Sequence, residues 1–199
     1  MASAYSGMGY DAGSPGILEE CIMKYYTDEL WIKLNSHNKA ERAAAELEWE
    51  SNAKKYAAYL HMIEKEIPRD TMAAIKKIEE GGIPLHDSRL VGVSFTSTEC
   101  TNTRLARAFG HPHQSYERVC RLQLADGATN VELVMLGVNK MCMEMEYWQE
   151  NCFDVCWGYS EFFYKKPYVE LSILWDSGHV WQFEFASLSI IKSNVEKQQ

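Results

Sequence analysis

A histidine beside an aspartate, His86-Asp87, is the pair in this 199-residue chain whose types and spacing most suggest chemistry. An imidazole and a carboxylate on adjacent residues could hold a divalent metal, as in phosphohydrolases that carry a His-Asp step. A bound metal needs a larger set of donors in a defined geometry. His111-Pro112-His113, with Cys100, could extend the set toward a zinc site. A metal-dependent hydrolase on His86, Asp87, His111 and His113 is therefore the alternative reading. Such hydrolases place the pair on helices with further His and Asp at helical spacing, and no such set follows here. The structural expectation is stronger: Asp87 accepts backbone N–H bonds at a strand entrance, and His86 bridges a helical part and a sheet. No catalytic residue and no cofactor is assigned.

Other reactive residues give weaker patterns. Cys152 and Cys156 are separated by three residues in a mostly apolar stretch, and no local motif selects any thiol as a nucleophile. Glu144 and Glu146 alternate with Met143 and Met145, which is also how the wet face of an ordinary strand reads. The Gly81-Gly82 step lacks the strand, turn and lysine of a phosphate loop. A dense aromatic set, Trp148, Phe153, Trp157, Tyr159, Phe162, Phe163 and Tyr164, is mostly expected in the core. Any exposed part is the best candidate for a protein interface. The candidate binding residues are thus His86, Asp87, Trp148, Trp157 and Tyr159.

Composition narrows the function classes. Hydrophobic residues are 46% and charged residues 24%, the balance of a folded globular chain. A net charge of -8 repels phosphate backbones, so nucleic acid is disfavoured and a basic protein partner is favoured. No segment reaches the roughly 18–20 apolar residues of a membrane span. The opening Met1-Ala2-Ser3-Ala4-Tyr5 has no secretory character. Without that signal, six irregularly spaced cysteines read as free thiols in a cytoplasmic protein. Nothing fixes the oligomeric state.

The elements that must position these residues change character once along the chain. Residues 1–22 are small and turn-prone at first, and read as a disordered leader. Leu18-Glu19-Glu20-Cys21-Ile22-Met23 could also be encoded by DNA resembling a bacterial ribosome-binding site before an ATG. Met23 would then be the natural start and residues 1–22 an upstream extension; composition supports both readings equally. Residues 23–194 read as a single α+β domain, helical over 28–82 and sheet over 85–191.

Thr27 or Asp28 caps a short helix to Leu34, and Asn38 with Glu41 resembles a capping box opening a longer one. Trp49, Ala53, Tyr56, Leu60, Ile63 and Ile67 form one apolar stripe, and Pro68 stops that helix. Met72, Ile75 and Ile78 face inward from a third helix, closed by Gly81-Gly82 and Pro84. Beyond Pro84 the period falls from about 3.6 to 2, which predicts an antiparallel sheet of about six strands. Strands are expected at Leu90–Phe95, Tyr116–Leu124, Val131–Leu136, Val138–Trp148, Tyr168–Trp175 and Val180–Phe185, with a loop over 96–115 and an ambiguous stretch over 151–164. Asp126-Gly127 and Asp176-Ser177-Gly178 supply hairpin turns.

Met23-Lys24-Tyr25-Tyr26-Thr27-Asp28-Glu29-Leu30-Trp31 resembles the opening of an uncharacterised bacterial family, a domain-of-unknown-function group typical of Firmicutes. The likeness runs through the second helix into Leu85-His86-Asp87-Ser88. It implies a cytoplasmic protein of helices followed by a small sheet, without an assigned activity, and marks Met23 as a start. From Leu85 onward the chain is similar to small β-rich bacterial domains that open on a His-Asp pair and close on a strand like Trp181-Gln182-Phe183-Glu184-Phe185. Some of these resemble immunity proteins of polymorphic toxin systems, which implies a protein-binding role.

Overall fold

A computed structural model describes residues 23–83, 85–99, 116–127, 129–143 and 155–194. The expected leader over 1–22 lies outside these. Among the described residues three helices precede eight strands: α1 (Asp28–Leu34), α2 (Lys39–Ile63), α3 (Arg69–Glu79), β1 (Arg89–Glu99), β2 (Tyr116–Ala125), β3 (Thr129–Leu136), β4 (Lys140–Cys142), β5 (Trp157–Lys165), β6 (Tyr168–Trp175), β7 (Val180–Phe185) and β8 (Ser187–Asn194). The α+β class holds. The strands form two four-stranded antiparallel sheets, ordered β1-β2-β3-β8 and β4-β7-β6-β5, where the sequence predicts about six strands in one sheet. The chain passes between sheets at Leu136–Lys140 and Phe185–Ser187, around Gly137 with its φ of 65°.

Local chemistry explains the helix starts. Thr27 Oγ1 accepts the Leu30 N–H at 3.2 Å, and Asn38 Oδ1 accepts from Ala40 at 3.0 Å. The capping box is half made. Glu41 takes the Ser36 hydroxyl, and the Asn38 N–H goes to Ser36 Oγ at 3.1 Å. α2 ends at Ile63, and a turn leads through Ile67 to Pro68, the N-cap residue of α3. Asp126-Gly127 and Asp176-Ser177-Gly178 make the expected hairpins, with Gly127 and Gly178 at positive φ.

Three strand expectations are corrected. Residues 96–99 continue β1 in register with Glu117–Val119 and Tyr116, where a loop was expected. The strand expected over Val138–Trp148 is confined within the described residues to Lys140–Cys142. Of the ambiguous stretch over 151–164, residues 157–164 belong to β5, and 151–154 lie outside the described residues.

The core divides at the β4-β7-β6-β5 sheet. On one face α3 and both sheets meet in the main core, which includes Ile75, Leu122, Leu133, Phe162, Leu171, Phe183 and Phe185. On the other face the segment Met23–Tyr26, α1 and α2 cover a second, aromatic core. β5 is an edge strand, and edge N–H groups need partners. α2 supplies them: the Tyr56 hydroxyl accepts the Phe162 N–H at 2.6 Å and the Tyr59 hydroxyl accepts that of Tyr164 at 2.9 Å. No helix among the described residues is long and apolar enough to cross a membrane.

Candidate functional site

His86-Asp87 forms a tight turn between α3 and β1. Asp87 sits at φ 65°, a left-handed conformation that aspartate tolerates better than most residues. Backbone bonds fasten the turn to β5: Asp87 N–H to Trp157 O at 2.9 Å, Trp157 N–H to Ser88 O at 2.9 Å, and Leu90 N–H to Val155 O at 2.9 Å. The pair therefore joins the helical and sheet parts through its backbone. Its side chains face outward, His86 half-exposed and Asp87 86% exposed, with His86 Nδ1 3.0 Å from Asp87 Oδ2. Among the described residues the Asp87 carboxylate accepts no backbone N–H, which corrects the expected role of that side chain. Its neighbour is His86.

That turn forms one rim of a groove of about 270 Å³ between the N-terminal helices and the start of β5. Tyr26, Trp49, Trp157 and Tyr159 give it aromatic walls, with His86 at the rim and Glu79 and Ser160 inside. Trp49 stacks on Tyr26 at 4.2 Å and tilts against Tyr159 at 4.3 Å, forming one continuous aromatic wall. Trp31 and His86 meet Tyr159 edge-on at 5.4 and 5.3 Å. Gly158 makes the approach possible. A bulge interrupts β5 there, and a Cβ at that position would stand 2.8 Å from the Leu174 carbonyl oxygen.

Two carboxylates stand at this junction. Glu161 is fully buried on β5, and its oxygens accept the backbone N–H groups of Lys24, Tyr25 and Tyr26 at 2.8, 2.6 and 2.6 Å. Asn52 of α2 holds the Tyr25 carbonyl at 3.0 Å. Burial raises the Glu161 carboxyl, and the three N–H groups oppose that shift by favouring its anion. Glu79, the last residue of α3, accepts Ser160 Oγ at 3.4 Å and a hydrogen bond from Tyr56. Burial pushes its carboxyl from 4.5 up to about 8, and repulsion from Glu161 adds to the rise. Burial likewise pushes the Tyr26 hydroxyl up to about 12.

The structure brings together only part of the expected site. His86, Asp87 and Tyr159 share the groove region. Trp157 is 2% exposed and packs edge-on against Trp175 at 5.8 Å, so it is a core residue with little surface to offer a partner. Trp148, Cys100, His111 and His113 lie outside the described residues. Among the described residues no three His, Cys, Asp or Glu side chains cluster as a metal site would require. Glu79, Glu161, Tyr26 and Trp49 were not expected as site residues. Their signal was present in part: Tyr159, Glu161 and Phe163 alternate along β5, a carboxylate in an aromatic row.

A larger cavity of about 540 Å³ lies elsewhere, between Phe95, Arg118, Val138, Lys140 and Met141. Among the described residues its lining holds no acid, histidine or thiol, whereas the smaller groove holds Glu79 and His86. Fold and site together define an α+β protein of two antiparallel sheets with an acid-floored aromatic groove where helices meet sheet. No family model, curated protein or solved structure matches the chain.

Proposed function

We propose that this chain is a protein-binding module that docks a basic partner through the aromatic groove. The observation that carries the reading is the half-buried aromatic wall of Tyr159 and Trp49, extended by Trp31 and flanked by the exposed His86-Asp87 turn. Partly exposed Trp and Tyr side chains supply much of the energy of protein interfaces. The net charge of -8 suits a basic partner and opposes nucleic acid. Some of the small β-rich bacterial domains that the sheet part resembles look like immunity proteins, a likeness that would make the partner a toxin met in a bacterial cytoplasm and its gene a neighbour of this one.

The test mixes the purified chain with the product of the neighbouring gene. A complex is expected whose affinity falls about 30-fold or more in Trp49→Ala, the effect of losing an interface anchor of about 2 kcal/mol. Leu47→Ala, at an exposed residue of the same helix, should leave it unchanged. No complex, or one indifferent to Trp49, removes the reading.

A further inference from the structure

We propose that the groove receives an arginine side chain of the partner, its guanidinium stacked on the Trp49–Tyr159 wall and paired with the Glu79 carboxylate. This rests on the docking reading above and names what enters the groove. Size comes first. About 270 Å³ is below the roughly 300–1,000 Å³ of pockets that enclose drug-sized ligands, so one long side chain is a fitting occupant. Charge comes second. Among the described residues the lining contains a carboxylate and the partly exposed aromatic side chains of Trp49 and Tyr159, and neither lysine nor arginine. Glu79 also ends α3, where the negative end of the helix dipole favours a cation.

Geometry separates arginine from lysine. A guanidinium is planar, stacks on aromatic faces and forks onto a carboxylate, whereas an ammonium is a compact, strongly hydrated charge. Trp49 lines the groove from α2 with its ring stacked on Tyr26, and Tyr159 lines it from β5. Glu79 meets Ser160 and Tyr56 on its inner side. Glu161 lies near it on β5, and His86 stands at the rim with Asp87 beside it. The guanidinium stays protonated throughout. Below pH 8 its arrival ionises Glu79 and releases that proton to solvent, so pairing strengthens as pH rises toward 8.

The experiment titrates the full chain with a blocked Ala-Arg-Ala tripeptide, following tryptophan fluorescence and amide NMR shifts. The same tripeptide with citrulline or leucine at its centre serves for comparison. Citrulline keeps the shape and removes the charge. At pH 8.5 the arginine peptide is expected to bind at least about tenfold tighter than the citrulline peptide. Glu79→Gln should erase that advantage, with a melting curve showing that the variant is folded. Trp49→Phe, which keeps an aromatic face, should retain most of it, and lowering the pH to 6 should shrink it. Equal binding of the citrulline peptide, or an advantage untouched by Glu79→Gln, overturns the proposal. A leucine peptide that binds as well, and is lost on Trp49→Ala, overturns the arginine assignment while sparing the groove as a docking site. If none of the peptides binds the folded chain, both readings fall.

Discussion

The two faces of the β4-β7-β6-β5 sheet are built on different principles. On the main-core face, Val169, Leu171, Ile173 and Trp175 alternate along β6, opposite Trp181, Phe183 and Phe185 of β7. Every one is apolar and buried. On the other face the intervening residues are Glu170, Ser172 and Leu174, with Gln182 and Glu184 beside them. Polar groups there find partners: Lys165 to Glu170 at 2.6 Å and Gln182 to Ser172 at 3.2 Å. Glu161 continues the pattern on β5 by taking three backbone N–H groups. The first face is held by apolar burial, which is indifferent to pH and direction. The second adds to its aromatic core directed hydrogen bonds and carboxylates whose charge can change. A face of the second kind suits recognition, because its polar groups can be re-paired by an incoming ligand.

The comparison breaks first at its two anchors. Phe183→Ala empties the main core at a residue with no exposure and is expected to cost about 3–5 kcal/mol. Glu161→Ala leaves the N–H groups of Lys24, Tyr25 and Tyr26 without their acceptor and is expected to cost about 3 kcal/mol. Chemical denaturation of the two variants at pH 7 measures both. Their signatures should differ: Phe183→Ala loosens the whole domain, whereas Glu161→Ala first frees residues 23–26, seen as faster amide exchange there. A Glu161→Ala variant within about 0.5 kcal/mol of the parent would mean that the N-terminal segment is not clasped as described.

A second test uses pH. The folded Glu79 carboxyl titrates near 8 against 4.5 for an ordinary glutamate, because it is buried. Between those values the native state keeps a proton that the unfolded chain has released. Stability at this site is therefore fully present below pH 4.5 and declines as pH rises through 8, with a slope of up to about 1.4 kcal/mol per pH unit where Glu79 dominates. Glu79→Gln cannot ionise, so its melting temperature should fall less than the parent's between pH 5 and pH 8.5. Parallel profiles for the two proteins would place the ionisable weight elsewhere, with Glu161 the next carboxylate to remove. Phe183→Ala, which removes no ionisable group, should leave the shape of the profile unchanged.

The sequence made the first face legible and the second only in outline. Alternation of two and steps of three and four follow directly from backbone geometry, so the stripe from Trp49 to Ile63, the Asp176-Ser177-Gly178 hairpin and the α+β class were readable. The division into two sheets was not, because it depends on Gly137 and Ala186 turning the chain between layers, and those residues look like any strand ends. β5 stayed ambiguous for a physical reason. A strand buried on both faces, with a Gly158 bulge, loses the alternation that identifies strands. Glu79 and Glu161 escaped notice because a glutamate in sequence is most economically read as solvent-facing. Only the tertiary arrangement shows that one accepts three amides and the other closes a groove. His86-Asp87 drew attention by residue type, and its part in the fold proves to lie in the backbone.

That pair gives the mildest and most discriminating test. Asp87 occupies the left-handed region at φ 65°, and its carboxylate is almost wholly exposed. The position is thus defined by conformation. Asp87→Gly, which adopts this φ without strain, is expected to leave the melting temperature within about a degree of the parent or slightly above it, any gain in the turn being offset by the freer unfolded chain. Asp87→Ala should cost about 1 kcal/mol, since alanine pays the left-handed penalty without aspartate's local hydrogen bonding. The side chain would show itself differently. If the exposed Asp87 carboxylate helps to steer a basic partner, Asp87→Gly slows association at low salt while leaving stability intact, and the difference fades at high ionic strength. A large loss of stability in Asp87→Gly would instead return the carboxylate to a structural role and move the boundary between the two kinds of face to the turn itself.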